Sequence, residues 1–142
     1  MRRVLIVVDM QNDFVAEGGI LASQAARAIV PFIQEKVQKA LRAGDEVVFT
    51  LDTHLEDDAE FNKFEPHCVR GSWGQQLIPA LQNLLDEEMA DQVHYVEKNR
   101  YSAFFQTDLE DYLGLGAASQ RKAVDEVEIV GVCTNICCYF TA

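Results

Sequence analysis

Cys137 closes the segment Gly131-Val132-Cys133-Thr134-Asn135-Ile136-Cys137, where an apolar strand-like run turns sharply toward the start of a helix. A thiol in a helix's first turn faces unpaired backbone N–H groups and the positive end of the helix dipole, and both favour thiolate. The same N–H groups can receive an oxyanion. Taken alone, a free cysteine is more often a small buried hydrophobe. Two further residues shift that balance toward a nucleophile. Asp9 follows the five apolar residues Val4-Leu5-Ile6-Val7-Val8, and Lys98 ends another strand-like stretch. A carboxylate at one strand end can accept the thiol proton while an ammonium at another holds the resulting charges. Either could be an ordinary strand-end residue, but Asp9 would be partly desolvated and would need a partner, which Lys98 could be.

A second constellation is Asp52-Thr53-His54 followed, after a charged loop, by His67. One carboxylate and two imidazoles are donors that zinc, iron or manganese accept, with water filling the open positions of a catalytic site. Glu60 in the intervening loop could add a fourth ligand. Asp-x-His alone is a weak motif, and His67 could be a plain loop histidine. His94 falls within a period-2 segment and reads as structural. Phe14, Phe64 and Tyr101, ahead of Trp73, could line an apolar slot for a small aromatic ring, although most aromatics simply pack.

These residues need a scaffold that gathers them, and the pattern of the chain supplies one. Short apolar runs alternate with helical periodicity, the mark of βαβ units and a parallel sheet. Val4 to Val8 reads as the first strand, buried on both faces. Ile29, Ile33, Val37 and Leu41 predict one crossover helix from Ser23 to about Ala43, with Pro31 near its first turn and Gly44 as its stop. Glu46 to Leu51 is the second strand, and Leu77, Leu81, Leu84 and Leu85 predict a helix from Trp73 to Leu85. Val93 to Val96 is the third strand, Thr107 to Leu113 a short helix capped by Thr107, and Val127 to Val130 the fourth strand. Asp9, Asp52, His54, Lys98 and Cys137 then all fall at or just beyond C-terminal strand ends, the edge where open α/β sheets bind ligands.

A chain of 142 residues, 49% hydrophobic, suffices for one packed core and reads as a single domain. Its apolar runs are far shorter than the ~20 residues that span a bilayer, so the expectation is a soluble, cytoplasmic protein. With 12 basic and 23 acidic residues the net charge of −11 opposes nucleic acid and acidic membranes as partners. Cys133, Cys137 and Cys138 lie too close together for a disulfide framework, and Cys68 supplies no knuckle for a structural zinc. Oligomeric state is open to a homo-oligomer.

With those residues in place, the chain resembles the cysteine hydrolases of the isochorismatase-like superfamily, and within it the nicotinamidases, which also act as pyrazinamidases. The resemblance rests on an ordered set: Val8-Asp9-Met10-Gln11-Asn12-Asp13-Phe14, Asp52-Thr53-His54, Pro66-His67-Cys68-Val69-Arg70-Gly71-Ser72-Trp73-Gly74, Lys98-Asn99-Arg100-Tyr101-Ser102-Ala103-Phe104 and Gly131 to Cys137. It implies a three-layer, Rossmann-like parallel sheet with helices on both faces. It implies a triad of Asp9, Lys98 and Cys137 that hydrolyses nicotinamide or pyrazinamide through a thioester. The implied cofactor is one divalent metal on Asp52, His54 and His67, joined by Glu60 in some members, with zinc expected and iron or manganese as alternatives. The resemblance further implies an oxyanion hole from the backbone N–H groups of Cys133 and Cys137, shaped by a cis peptide between Val132 and Cys133. Other superfamily amidases, acting on N-carbamoyl or ureido substrates, and a non-catalytic metal or ligand binder are the competing readings. Asn135 and Cys133 depart from the commoner acidic residue and alanine, at positions that supply no triad side chain. Relatives continue past the nucleophile, so residues 1–142 are expected to be a domain lacking its C-terminal strands and helix.

Overall fold

The computed structural model describes residues 1–57, 66–98, 107–115 and 122–132. Four strands, β1 (Arg3–Val8), β2 (Glu46–Asp52), β3 (Val93–Lys98) and β4 (Glu126–Gly131), form one sheet in the order β3-β2-β1-β4. Every pairing is parallel, with Val8 opposite both Thr50 and Gly131, and Asp52 opposite Lys98. The chain steps from β1 to β2 to β3 in one direction and then returns to place β4 on the far side of β1. That reversal is a topological switch point, and the crevice it opens lies beyond the C-terminal strand ends.

Alternation along the strands sends side chains to both faces. Leu5, Val7, Val47 and Phe49 pack with Ile33, Val37 and Leu41 of the helix Val30–Arg42 on one face. Val4, Ile6, Val8, Val48 and Val96 meet Leu109, Tyr112 and Leu113, at the helix Leu109–Tyr112, on the other. The result is three layers, as the strand pattern requires. No helix among the described residues is long and apolar enough to cross a membrane.

Helices are numbered α1 (Asn12–Val15), α2 (Gln24–Ala28), α3 (Val30–Arg42), α4 (Pro79–Gln82) and α5 (Leu109–Tyr112). The single crossover helix expected from Ser23 to Ala43 is two. Ser23 caps α2, its hydroxyl accepting from the Ala26 N–H at 3.0 Å, and the chain breaks at Ile29. Pro31 has no N–H to donate back into a preceding turn, so it fits the first turn of a new helix and not the interior of a long one. Gly44 ends α3 at φ +78°.

The helix expected from Trp73 to Leu85 is also interrupted. A 3-10 turn at Trp73–Gln75 gives way to extended chain before α4. Gln76 O accepts from the Asn12 N–H at 2.9 Å, the Ile78 N–H donates to Met10 O at 3.0 Å, and Leu77 bridges antiparallel to Gln11. Tertiary pairing with the segment after β1 has overridden the helical spacing, although Leu77 and Leu81 are buried as that spacing demands. Gly131 is required on steric grounds: its φ is +143°, and a Cβ there would collide with the carbonyl of Val8.

Candidate active site

Asp9 is the first residue beyond β1 and takes a left-handed backbone, φ +55°, which bends it toward β2. Its N–H donates to Thr50 O at 3.2 Å and Thr50 Oγ1 at 3.1 Å, and its Oδ1 accepts from the Thr50 hydroxyl at 2.9 Å. Its Oδ2 lies 3.0 Å from Lys98 Nζ, and both side chains are wholly buried. Two groups of unlike charge removed from water this completely have each other to offset the hydration they lose. Lys98 Nζ is also 3.7 Å from Asp52 Oδ1, so one ammonium stands between the carboxylates that end β1 and β2.

The other oxygen of Asp52 meets both imidazoles, at 2.8 Å from His54 Nε2 and 3.4 Å from His67 Nε2. One ligand atom from each of Asp52, His54 and His67 lies within 4.8 Å of the others, and all three residues are buried. Burial by itself would raise the carboxyl of Asp52. Hydrogen bonds from His54 and His67 and the charge of Lys98 outweigh it and hold the group at about 2. A carboxylate fixed in its anionic form beside two imidazoles is a donor set that fits a divalent cation with open positions for water or substrate.

The loop carrying His67 is tied down locally. His54 N–H donates to Cys68 O at 3.0 Å and His54 O accepts from the Arg70 N–H at 2.8 Å. Asp13 Oδ2 accepts from the Cys68 N–H at 2.7 Å, and the same carboxylate fills the space where a side chain at Gly74 would stand. The rings of Phe14 and His67 meet edge to face, 5.5 Å between centroids. Burial, and then the charges of Asp52, Asp13 and Asp9, push the Cys68 thiol far up despite Lys98, so Cys68 is a protonated packing residue.

The structure therefore brings together Asp9 with Lys98, and Asp52 with His54 and His67, and links the two sets through Lys98. Phe14 borders the Asp52, His54 and His67 set through its contact with His67, whereas Trp73 is half exposed. His94 lies elsewhere, stacked on Tyr112 at 4.1 Å and 3.2 Å from Asp108. Cys137, Cys133, Glu60, Phe64, Tyr101 and the Val132–Cys133 peptide bond lie outside the described residues. Sequence reasoning gave no role to Thr50, Gln11 or Asp13, although Gln11 and Asp13 fall in the motif Val8 to Phe14. The further signal was polarity: a threonine inside the otherwise apolar stretch of β2, and polar residues in the segment just after β1.

The isochorismatase domain family matches residues 3–142. The chain belongs to the isochorismatase family. This family member is 33% identical over 147 residues to the nicotinamidase/pyrazinamidase of Mycobacterium tuberculosis, covering 99% of the chain and 76% of that protein. It superimposes on the crystal structure of the nicotinamidase/pyrazinamidase PncA from Bacillus subtilis with a TM-score of 0.86 and 38% identity, over 99% of the chain and 76% of that structure. A pyrazinamidase of Pyrococcus horikoshii, solved in complex with zinc, aligns with a TM-score of 0.80 and 31% identity, over 100% of the chain and 76% of its own.

Proposed function

We propose that this isochorismatase-family protein is a nicotinamidase, hydrolysing nicotinamide to nicotinate and ammonia, with pyrazinamide as a second substrate. The observation that carries the reading is the shared position of Lys98, 3.0 Å from Asp9 and 3.7 Å from Asp52. A buried acid–base pair and a buried metal-ligand set on one sheet edge suit a small carboxamide whose ring also bears a donor nitrogen. A relative acting on ureido or N-carbamoyl groups has no such ring to hold.

In this mechanism Asp9 takes the proton of Cys137 and the thiolate attacks the carboxamide carbon. The backbone N–H groups of Cys133 and Cys137 receive the oxyanion of the tetrahedral intermediate. Asp9 returns the proton to the nitrogen, ammonia leaves, and a thioester remains. Asp9 then draws a proton from water, which attacks the thioester and releases nicotinate with the free thiol. Lys98 keeps Asp9 ionised at the start of each cycle and balances the charge that moves through it. Asp52, His54 and His67, with Glu60 a candidate fourth, would hold a divalent metal, which we take to be zinc, and when bound it supplies a Lewis acid for the ring nitrogen. Phe14, Phe64 and Tyr101 would flank the ring. A reducing cytoplasm would keep the thiol free.

The test is ammonia release from nicotinamide by the wild-type protein and by Cys137→Ala, with an N-carbamoyl amino acid as counter-substrate and metal content measured on unchelated protein. Turnover of nicotinamide by the wild type alone is expected. Equal rates in the two proteins would remove Cys137 from its role, and preference for the N-carbamoyl compound would reassign the substrate.

A further inference from the structure

Asp9 follows β1 and Asp52 ends β2, yet the reading above needs them in fixed relation. Each is held by a side chain that neighbours the other. Thr50 precedes Asp52 by two residues on β2, and its Oγ1 both donates to Asp9 Oδ1 at 2.9 Å and accepts from the Asp9 N–H at 3.1 Å. Gln11 follows Asp9 by two residues, and its side chain spans the backbone of Asp52: Oε1 accepts from the Asp52 N–H at 2.8 Å and Nε2 donates to Asp52 O at 2.8 Å. The same Nε2 also donates to Gln75 O at 2.7 Å. Both Thr50 and Gln11 are fully buried.

We propose that Thr50 and Gln11 are a reciprocal pair of positioning residues, Thr50 aiming the proton-transferring carboxylate of Asp9 and Gln11 fixing the backbone that presents Asp52 to a metal. The proposal rests on the assignment of those two roles. Its geometry goes beyond the satisfaction of buried polar groups. Thr50 touches Asp9 at two points, backbone and carboxylate, which together fix the left-handed turn and the direction of the side chain. Gln11 uses both ends of one amide on the backbone of one residue, so the main chain at Asp52 cannot shift without losing two bonds at once. Side chains that orient metal ligands in this way commonly contribute ten- to a hundred-fold in affinity.

Because each residue serves a different carboxylate, the two should fail differently. Thr50→Val keeps shape and removes the hydroxyl. It should lower kcat on nicotinamide by about ten- to a hundred-fold, on the scale of misplacing one general acid–base, while zinc affinity by chelator competition changes by less than about threefold. Thr50→Ser should recover most of the rate. Gln11→Glu loses the donor to Asp52 O and should weaken zinc binding by about ten- to a hundred-fold, raising KM more than it lowers kcat. Gln11→Met serves the same purpose if the glutamate variant is poorly folded, with thermal unfolding as the control for both positions. Alkylation of Cys137 by iodoacetamide gives a readout independent of substrate, and Thr50→Val should slow it about tenfold, since Asp9 must accept the thiol proton. Zinc affinity and kcat falling together at both positions, in step with lost thermal stability, would overturn the pairing, as would no change in either. A wild type inert toward nicotinamide would reject the substrate assignment, while the zinc and alkylation arms would still decide the roles of Gln11 and Thr50.

Discussion

Replacing Lys98 by methionine should destabilise the fold far more than the loss of one lysine from a strand end would suggest. The ammonium has no exposed surface, lies 3.0 Å from a fully buried carboxylate and 3.7 Å from a second that is nearly so. Methionine fills most of the same volume, so cavity formation contributes little and the effect isolates charge. Removing one partner of a buried pair leaves the other charged group without compensation, at a cost of about 3–5 kcal/mol. Total stabilities of about 5–15 kcal/mol allow the variant to remain folded. With a urea dependence of about 2 kcal/mol per molar, the midpoint should fall by about 2 M in metal-free protein. Adding Asp9→Asn should then recover part of the loss, because it removes the carboxylate that stood nearest the ammonium. A destabilisation below about 1 kcal/mol, the scale of an exposed pair, would refute the argument. So would a double variant whose loss equals the sum of the singles.

Three further outcomes follow from the same geometry. In native protein at mildly alkaline pH, iodoacetamide should spare Cys68, whose thiol is held protonated and buried, and label it only after unfolding; peptide mass spectrometry showing rapid native labelling would contradict this. Asp52 is held at about 2 from an ordinary 3.8, so the stability it contributes is fully present above about pH 4 and lost as pH falls toward 2, amounting to about 2–3 kcal/mol in metal-free protein. Asp52→Asn should flatten that acid limb in urea melts taken across the range. Gly131→Ala should destabilise by about 1–3 kcal/mol or more, since it forces a Cβ at φ +143° onto the Val8 carbonyl, and an unchanged thermal midpoint would show that β4 does not approach β1 as described.

The strands were legible because a parallel sheet buried on both faces demands uninterrupted apolar runs, and the short, β-branched run Val4 to Val8 has that pattern. The ends of those runs located Asp9, Asp52 and Lys98, since charge can follow such a strand only where the sheet stops. The interruptions were not legible. Leu77, Leu81, Leu84 and Leu85 have helical spacing, yet the backbone of Gln76 to Ile78 is taken by Met10, Gln11 and Asn12, a pairing between segments far apart in the chain that no local pattern records. Pro31 and Pro79 did carry the information, each marking the first turn of a new helix where periodicity suggested a continuing one. Thr50 and Gln11 escaped for a related reason. Side chains that bond to another strand's backbone leave no spacing signature, because what fixes them is sheet register.

The position of Lys98 shows why the register matters to the chemistry. Adjacent strands are about 4.8 Å apart, and β2 lies between β3 and β1, so Lys98 and Asp9 begin some two strand widths from each other. A straight continuation of β1 would leave that gap open. The left-handed turn at Asp9 closes it by carrying the carboxylate back over the end of β2, where the backbone and hydroxyl of Thr50 hold it. Lys98 has only to extend across Asp52, its direct register partner, to reach it. The ammonium must therefore pass the Asp52 carboxylate on its way to that of Asp9, and the two halves of the site share a charge because of the order in which the strands are laid down.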